Sequence, residues 1–181
     1  MLEITIPAIE LWDERSNVFN SIKEQTLCLE HSLVSLSKWE SKWNKIFLSK
    51  EPKTTEETID YIRCMTITKN VDPMVYKCLT PDNYKEINEY IEAPMTATKI
   101  FTREQNTRAS RELVSSELIY YWMITFNIPF ECQKWHLNRL ITLIKVCMVK
   151  NTPSKKMSKR EIMEQNAKLN AARRKKYNTR G

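Results

Sequence analysis

The sequence predicts a mainly α protein: a compact helical domain with a central antiparallel helical hairpin, a small β-sheet of two or three short strands, and a basic C-terminal helical tail. Three observations lead there. Apolar residues recur at helical spacing in the longer segments. Ser, Thr and Asp stand ahead of those segments as caps, twice followed by proline. Glycine occurs once, at Gly181, which leaves turns to Pro, Asn and Asp.

The first five-residue signal is a strand. Leu2, Ile4 and Ile6 alternate with Glu3 and Thr5, and Pro7 follows. Residues 25–30 alternate in the same way through Leu27 and Leu29. Residues 95–101 (MTATKIF) are a third, β-rich stretch after Pro94.

The helical signals follow. Ser32 or Ser35 opens a helix through Leu36, Trp39, Trp43 and Phe47. Thr54 and Glu57 have capping-box spacing ahead of Ile59, Ile62 and Met65. Asp72-Pro73 and Thr80-Pro81 each pair a cap with proline at the first helical position. The second pair opens a helix through Tyr84, Ile87, Tyr90 and Ile91 that Pro94 ends. Another helix begins near Ser110 and carries Leu113, Leu118, Ile119, Tyr121, Trp122 and Phe126. Asn127-Ile128-Pro129 breaks it. A further helix, residues 131–150, places Leu137, Leu140, Ile141 and Ile144 on one face. The short break makes these two the hairpin expected at the centre of the core. Ser158 and Glu161 form one more capping box, so residues 159–176 read as helix. That segment has few apolar residues, and an isolated helix of this kind is marginal in water.

Charge divides the chain into residues 1–150, a helical domain with a small N-terminal sheet, and 151–181, a basic extension. The extension holds ten Lys/Arg and two Glu, whereas the rest holds nineteen basic and twenty acidic residues. The whole excess of +7 therefore comes from the tail.

Composition narrows the chemistry. Without internal glycine there is no phosphate-cradling loop. The five cysteines, 28, 64, 78, 132 and 147, form no CxxC pair, which disfavours both a disulfide framework and a thiolate zinc site. They read as reduced thiols. Cys132 and His136 share a helix face, but two more ligands are not identifiable, so both histidines read as structural and no metal or cofactor is expected. Glu56, Glu57 and Asp60 read as charges favouring a helix dipole, and Glu86, Glu89 and Glu92 as a solvated face. No nucleophile–base pattern is visible, so the expectation is a non-enzymatic protein. No secretory leader or uncharged apolar run is seen, so the protein is expected to stay where it is made.

Two places could bind. Trp39, Trp43, Trp122 and Trp135 are anchors for a protein partner, with Arg139 one turn beyond Trp135; for Trp39 and Trp43, core packing is the competing reading. In the tail, Lys155-Lys156, Lys159-Arg160 and Arg173-Arg174-Lys175-Lys176 attract anions. Nucleic acid, an acidic protein surface and a merely solvated extension all fit such a run.

Two stretches carry a resemblance. Residues 32–47 (SLVSLSKWESKWNKIF) with 60–65 (DYIRCM), and 117–147 (ELIYYWMITFNIPFECQKWHLNRLITLIKVC) running on to KKMSKREIMEQNAKLN, resemble small morphogenesis proteins of tailed bacteriophages. The second also resembles the helix–loop–helix of some tail-assembly chaperones. This implies a non-enzymatic helper in the host bacterial cytoplasm that binds tape-measure or tail-tube subunits in a groove between helices. The basic tail departs from that pattern. It suggests the alternative of a virion protein, in the connector or tail, whose extension contacts DNA or a neighbouring subunit.

Overall fold

A computed structural model describes residues 1–13, 18–98, 113–151 and 159–178. It is mainly α with a small antiparallel sheet component, as the sequence predicts. The chain divides into two units, residues 1–147 and 148–181.

Strands β1 (Leu2–Ile6), β2 (Ile9–Asp13), β3 (Val18–Ile22) and β4 (Gln25–Leu29) open the chain. β1 pairs with β4, and β2 with β3. Leu2 lies opposite Leu29, Ile6 opposite Gln25, Ile9 opposite Ile22 and Asp13 opposite Val18. One register thus runs through both pairs. They are two halves of a single long hairpin, interrupted where Pro7 has no N–H to offer the ladder. The first half joins the core: Ile4, Ile6, Leu27 and Leu29 are buried while Glu3 and Thr5 face out. The free edge of β4 takes a short segment around Thr66, through Glu30 N–H to the Met65 carbonyl (2.9 Å) and Ile67 N–H to the Cys28 carbonyl (2.8 Å).

The strands at residues 2–6 and 25–29 match the sequence reading, whereas β2 and β3 were not foreseen. The expected strand at 95–101 does not form over its described part, residues 95–98. Met95 takes a positive φ of 47°, which leaves the extended region. Residues 99–101 lie outside the described residues.

Helix α1 (Leu33–Trp43) starts at Ser32, whose hydroxyl accepts from the Ser35 N–H while the Ser35 hydroxyl accepts from the Ser32 N–H. It ends at Asn44 with φ 52°. Among the described residues the positive-φ positions are Asn44, Asn70, Met95, Asn127 and Asn178. Asparagine takes the left-handed positions that glycine usually fills, because its side chain bonds locally.

Helix α2 (Thr55–Met65) carries the expected Thr54–Glu57 capping box and packs against α1. Pro73–Cys78 is a 3-10 turn started by Asp72. Helix α3 (Pro81–Glu92) is capped by Thr80 and turns Ile87 and Tyr90 inward. Glu86, Glu89 and Glu92 are exposed along it.

Helix α4 (Ser116–Thr125) begins later than the sequence suggested; Ser110 lies outside the described residues, and Ser115 is the cap. Residues 130–134 are a 3-10 turn, so helix α5 (Leu137–Asn151) starts six residues after the predicted Glu131. Trp135 is extended, and the His136 ring caps α5: its Nδ1 accepts from the Asn138 N–H at 3.3 Å. The Asn138 side chain donates to the carbonyls of Ile91 and Ala93, closing the end of α3 (2.8 and 2.9 Å). The helix around which the others gather is α1, against which α2, α4 and the 130–134 turn all pack. Helices α4 and α5 add Ile119, Met123, Leu137, Leu140 and Ile144 to the buried interior.

Helix α6 (Lys159–Tyr177) lies in the second unit and covers the span expected at 159–176. The cap assigned to Ser158 lies outside the described residues.

Candidate protein-binding face

The expected tryptophan anchors separate into core and surface. Trp39 is 1% exposed, and its indole N–H donates to the Glu57 carbonyl at 2.8 Å. Phe47 and Tyr61 meet it edge-on, at 5.1 and 6.5 Å between ring centres, and stack on each other at 3.8 Å. The notch beside Trp39, between Lys45, Pro52 and Glu57, holds about 20 Å³. That is room for about one water, not for a partner's side chain. Trp39 is therefore a core residue, which corrects its assignment as a partner contact. A wheel of helical positions shows which residues share a face, not which side of that face the body covers.

Trp43 is half-buried at the end of α1, and its N–H donates to Asp60 Oδ2 at 2.9 Å. Asp60 also pairs with Lys42, and Glu57 with Lys45. These carboxylates do more than favour the α2 dipole: they are buried and tie α2 to α1 and to the residues just beyond it. The Lys45 ammonium and the Thr54 N–H hold the Glu57 carboxyl below its ordinary range.

Helix α4 is apolar nearly all round: SELIYYWMIT holds one charge. One side, Ser116, Ile119 and Met123, is buried. Glu40 fixes its start, with Oε2 accepting from the Ser116 N–H at 2.7 Å and Oε1 from the Phe47 N–H at 2.9 Å. The opposite side is open. Tyr121 is 60% and Ile124 61% exposed, with Leu118 and Trp122 half-buried beside them. Phe130, 53% exposed, adds a ring 6.5 Å from that of Tyr120. The Tyr120 hydroxyl donates to Gln133 Oε1 at 2.9 Å, joining α4 to the following turn. Tyr120, Tyr121, Ile124 and Phe130 were not among the expected anchors. Their signal was in the sequence, because a helix hydrophobic all round must either be covered or offer a face.

Trp135 is half-buried, and the exposed Arg139 guanidinium lies over its ring at 4.2 Å. That cation–π pair covers part of the indole. Of the tail residues assigned to anion contact, Lys159, Arg160, Arg173, Arg174, Lys175 and Lys176 are exposed on α6; Lys155 and Lys156 lie outside the described residues.

The two histidines are buried and hydrogen-bonded. His31 and His136 meet edge to face at 5.2 Å, and both are buried. His31 Nδ1 shares a 2.5 Å hydrogen bond with the Tyr61 hydroxyl, and His136 Nε2–H donates to the Tyr90 carbonyl at 3.0 Å. With Nδ1 accepting from Asn138, His136 is held as the neutral Nε2–H form. Burial, and His136 beside it, pull His31 down to about 3. Burial lowers His136 too. Burial pushes the thiols of Cys64 and Cys78 up, which favours their protonated form. Among the described residues no cluster of three or more His, Cys, Asp or Glu could hold a metal ion. A groove of about 410 Å³ opens beside the start of α1, bounded by Glu30, Lys38, Ile67 and Lys134. It is a mixed-charge cleft, with Ser32, Ser35 and Cys64 also in its lining.

No helix among the described residues is long and apolar enough to cross a membrane. No family model matches the chain, nor does any curated protein or solved structure.

Proposed function

We propose that this chain is a non-catalytic assembly helper, similar to the tail-assembly chaperones of tailed bacteriophages. In this reading it holds an amphipathic helix of a tape-measure or tail-tube subunit against the outer face of α4. The observation that supports the reading is that face: exposed Tyr121 and Ile124, with half-buried Leu118 and Trp122 beside them, on a helix whose other side is anchored in the core. The phage assignment rests on the resemblance of residues 32–47, 60–65 and 117–147.

The physics suits a reversible helper. Covering a large apolar side chain contributes about 1.5–3 kcal/mol. Association costs about 4–15 kcal/mol in lost freedom. Four or five such side chains leave a modest net affinity, so the subunit is shielded and then released. A partner helix would present apolar residues at i, i+3, i+4 and i+7 to this face.

The test is calorimetry with purified chain and tape-measure fragments. Binding is expected for fragments with an amphipathic helix, and Y121D/I124D should weaken it at least tenfold with an unchanged melting temperature. No binding to any fragment, or equal binding by the variant, overturns the reading.

A further inference from the structure

Helix α6 carries seven Lys/Arg and two Glu over Lys159–Tyr177, and its described side chains are all exposed. It has no apolar stripe to lay into a groove. At about 100° per residue, Met163 stands a quarter turn from Ile162, and the line from Ile162 to Leu169 runs on into Arg173 and Lys176. A partner that recognises this helix does so through charge.

The arrangement of the charge selects the kind of partner. Arg173, Arg174, Lys175 and Lys176 are consecutive. Successive steps of about 100° put them on four sides of the cylinder. Against a flat acidic protein surface, only the near side makes contact. The major groove of B-form DNA is different: it is about 12 Å wide, admits a helix of about 10–12 Å diameter, and has phosphates along both walls. There, cations on opposite sides of one helix are neutralised together. Asn166 and Asn170, one turn apart, share an edge of α6 with Arg173 and bring side-chain amides that can meet base edges.

We infer that α6 binds duplex DNA by lying in the major groove, with Arg173–Lys176 neutralising phosphates on both walls. The inference is independent of the α4 face. It also accounts for a helix with so little apolar content: bound phosphates replace the tertiary packing that usually stabilises helices of this length.

The test uses the full chain and a labelled 20-base-pair DNA duplex in fluorescence anisotropy between 50 and 200 mM salt. With four phosphates neutralised, affinity should fall about 100-fold across that range. R173Q/R174Q/K175Q/K176Q should flatten the slope of log affinity against log salt by about 3–4. A single strand of the same sequence should bind at least tenfold more weakly at 100 mM. The substitutions sit on exposed positions, so an unchanged melting temperature establishes that the fold is intact. The inference is overturned by no duplex binding at 50 mM salt or by an unchanged slope in the variant. It is equally overturned by single-strand binding as tight as duplex binding, or by polyglutamate binding through these four residues where the duplex does not bind.

Discussion

Glu40 Oε2 accepts a hydrogen bond from the backbone N–H of Ser116 at 2.7 Å, joining the last turn of α1 to the first residue of α4. The carboxylate is buried, its other oxygen is taken by the Phe47 N–H, and it faces the positive end of the α4 dipole. Glu40→Ala should leave two N–H groups without their acceptor and cost about 2–4 kcal/mol. Urea unfolding measures the loss, and amide exchange should rise first in α4. A loss below about 1 kcal/mol would mean that other contacts hold α4 in place.

The tryptophans should respond unequally. Trp39 is enclosed by Trp43, Phe47 and Tyr61 and donates to the Glu57 carbonyl. Trp39→Ala should destabilise by about 3–5 kcal/mol. Trp122 is half-buried, so Trp122→Ala should cost less than half as much and show its effect in partner binding. Thermal melts of the two variants side by side check the ranking, and a reversed order would place the core elsewhere.

Acid should unfold the protein through its histidine pair. His31 moves from an ordinary value of 6.5 down to about 3 in the fold. The unfolded chain therefore binds more protons between those values, so stability is complete above about pH 6.5 and declines as pH falls toward 3. At pH 5 the loss from His31 alone is about 2 kcal/mol. His136 adds to it, because a protonated Nδ1 cannot accept from Asn138 and the cap of α5 is lost. Denaturant midpoints at pH 5 and 7 measure the effect. His136→Asn should reduce the pH dependence, since Asn can cap a helix without titrating.

Local chemistry made part of this structure legible. The caps at Ser32, Thr54, Thr80 and the Asp72-Pro73 start act within a turn, and all four stand where the sequence placed them. The alternation of Leu2, Ile4 and Ile6 likewise marks a strand with one buried face. What was missed depends on distance. Glu40 and Ser116 are 76 residues apart, and no spacing rule joins them. Strand β2, Ile-Glu-Leu-Trp-Asp, breaks the period-two pattern and is specified by its partner β3. The apolar row from Leu137 extended the expected helix back to Glu131, whereas a buried histidine cap at position 136 begins it. For the candidate face, Trp122 and the all-round apolar character of α4 were legible, but the outward turn of Tyr121 and Ile124 was not. Their exposure is set by which side of α4 Glu40 and the core hold.

In the proposed function the outer face of α4 meets a partner helix. The most direct measurement is photo-crosslinking to a tape-measure fragment from benzoylphenylalanine placed at Tyr121 and, in a second protein, at the exposed Glu89 of α3. A crosslink from position 121 and none from 89 is the expected result. Equal yields from the two positions, or a crosslink from 89 alone, would contradict it.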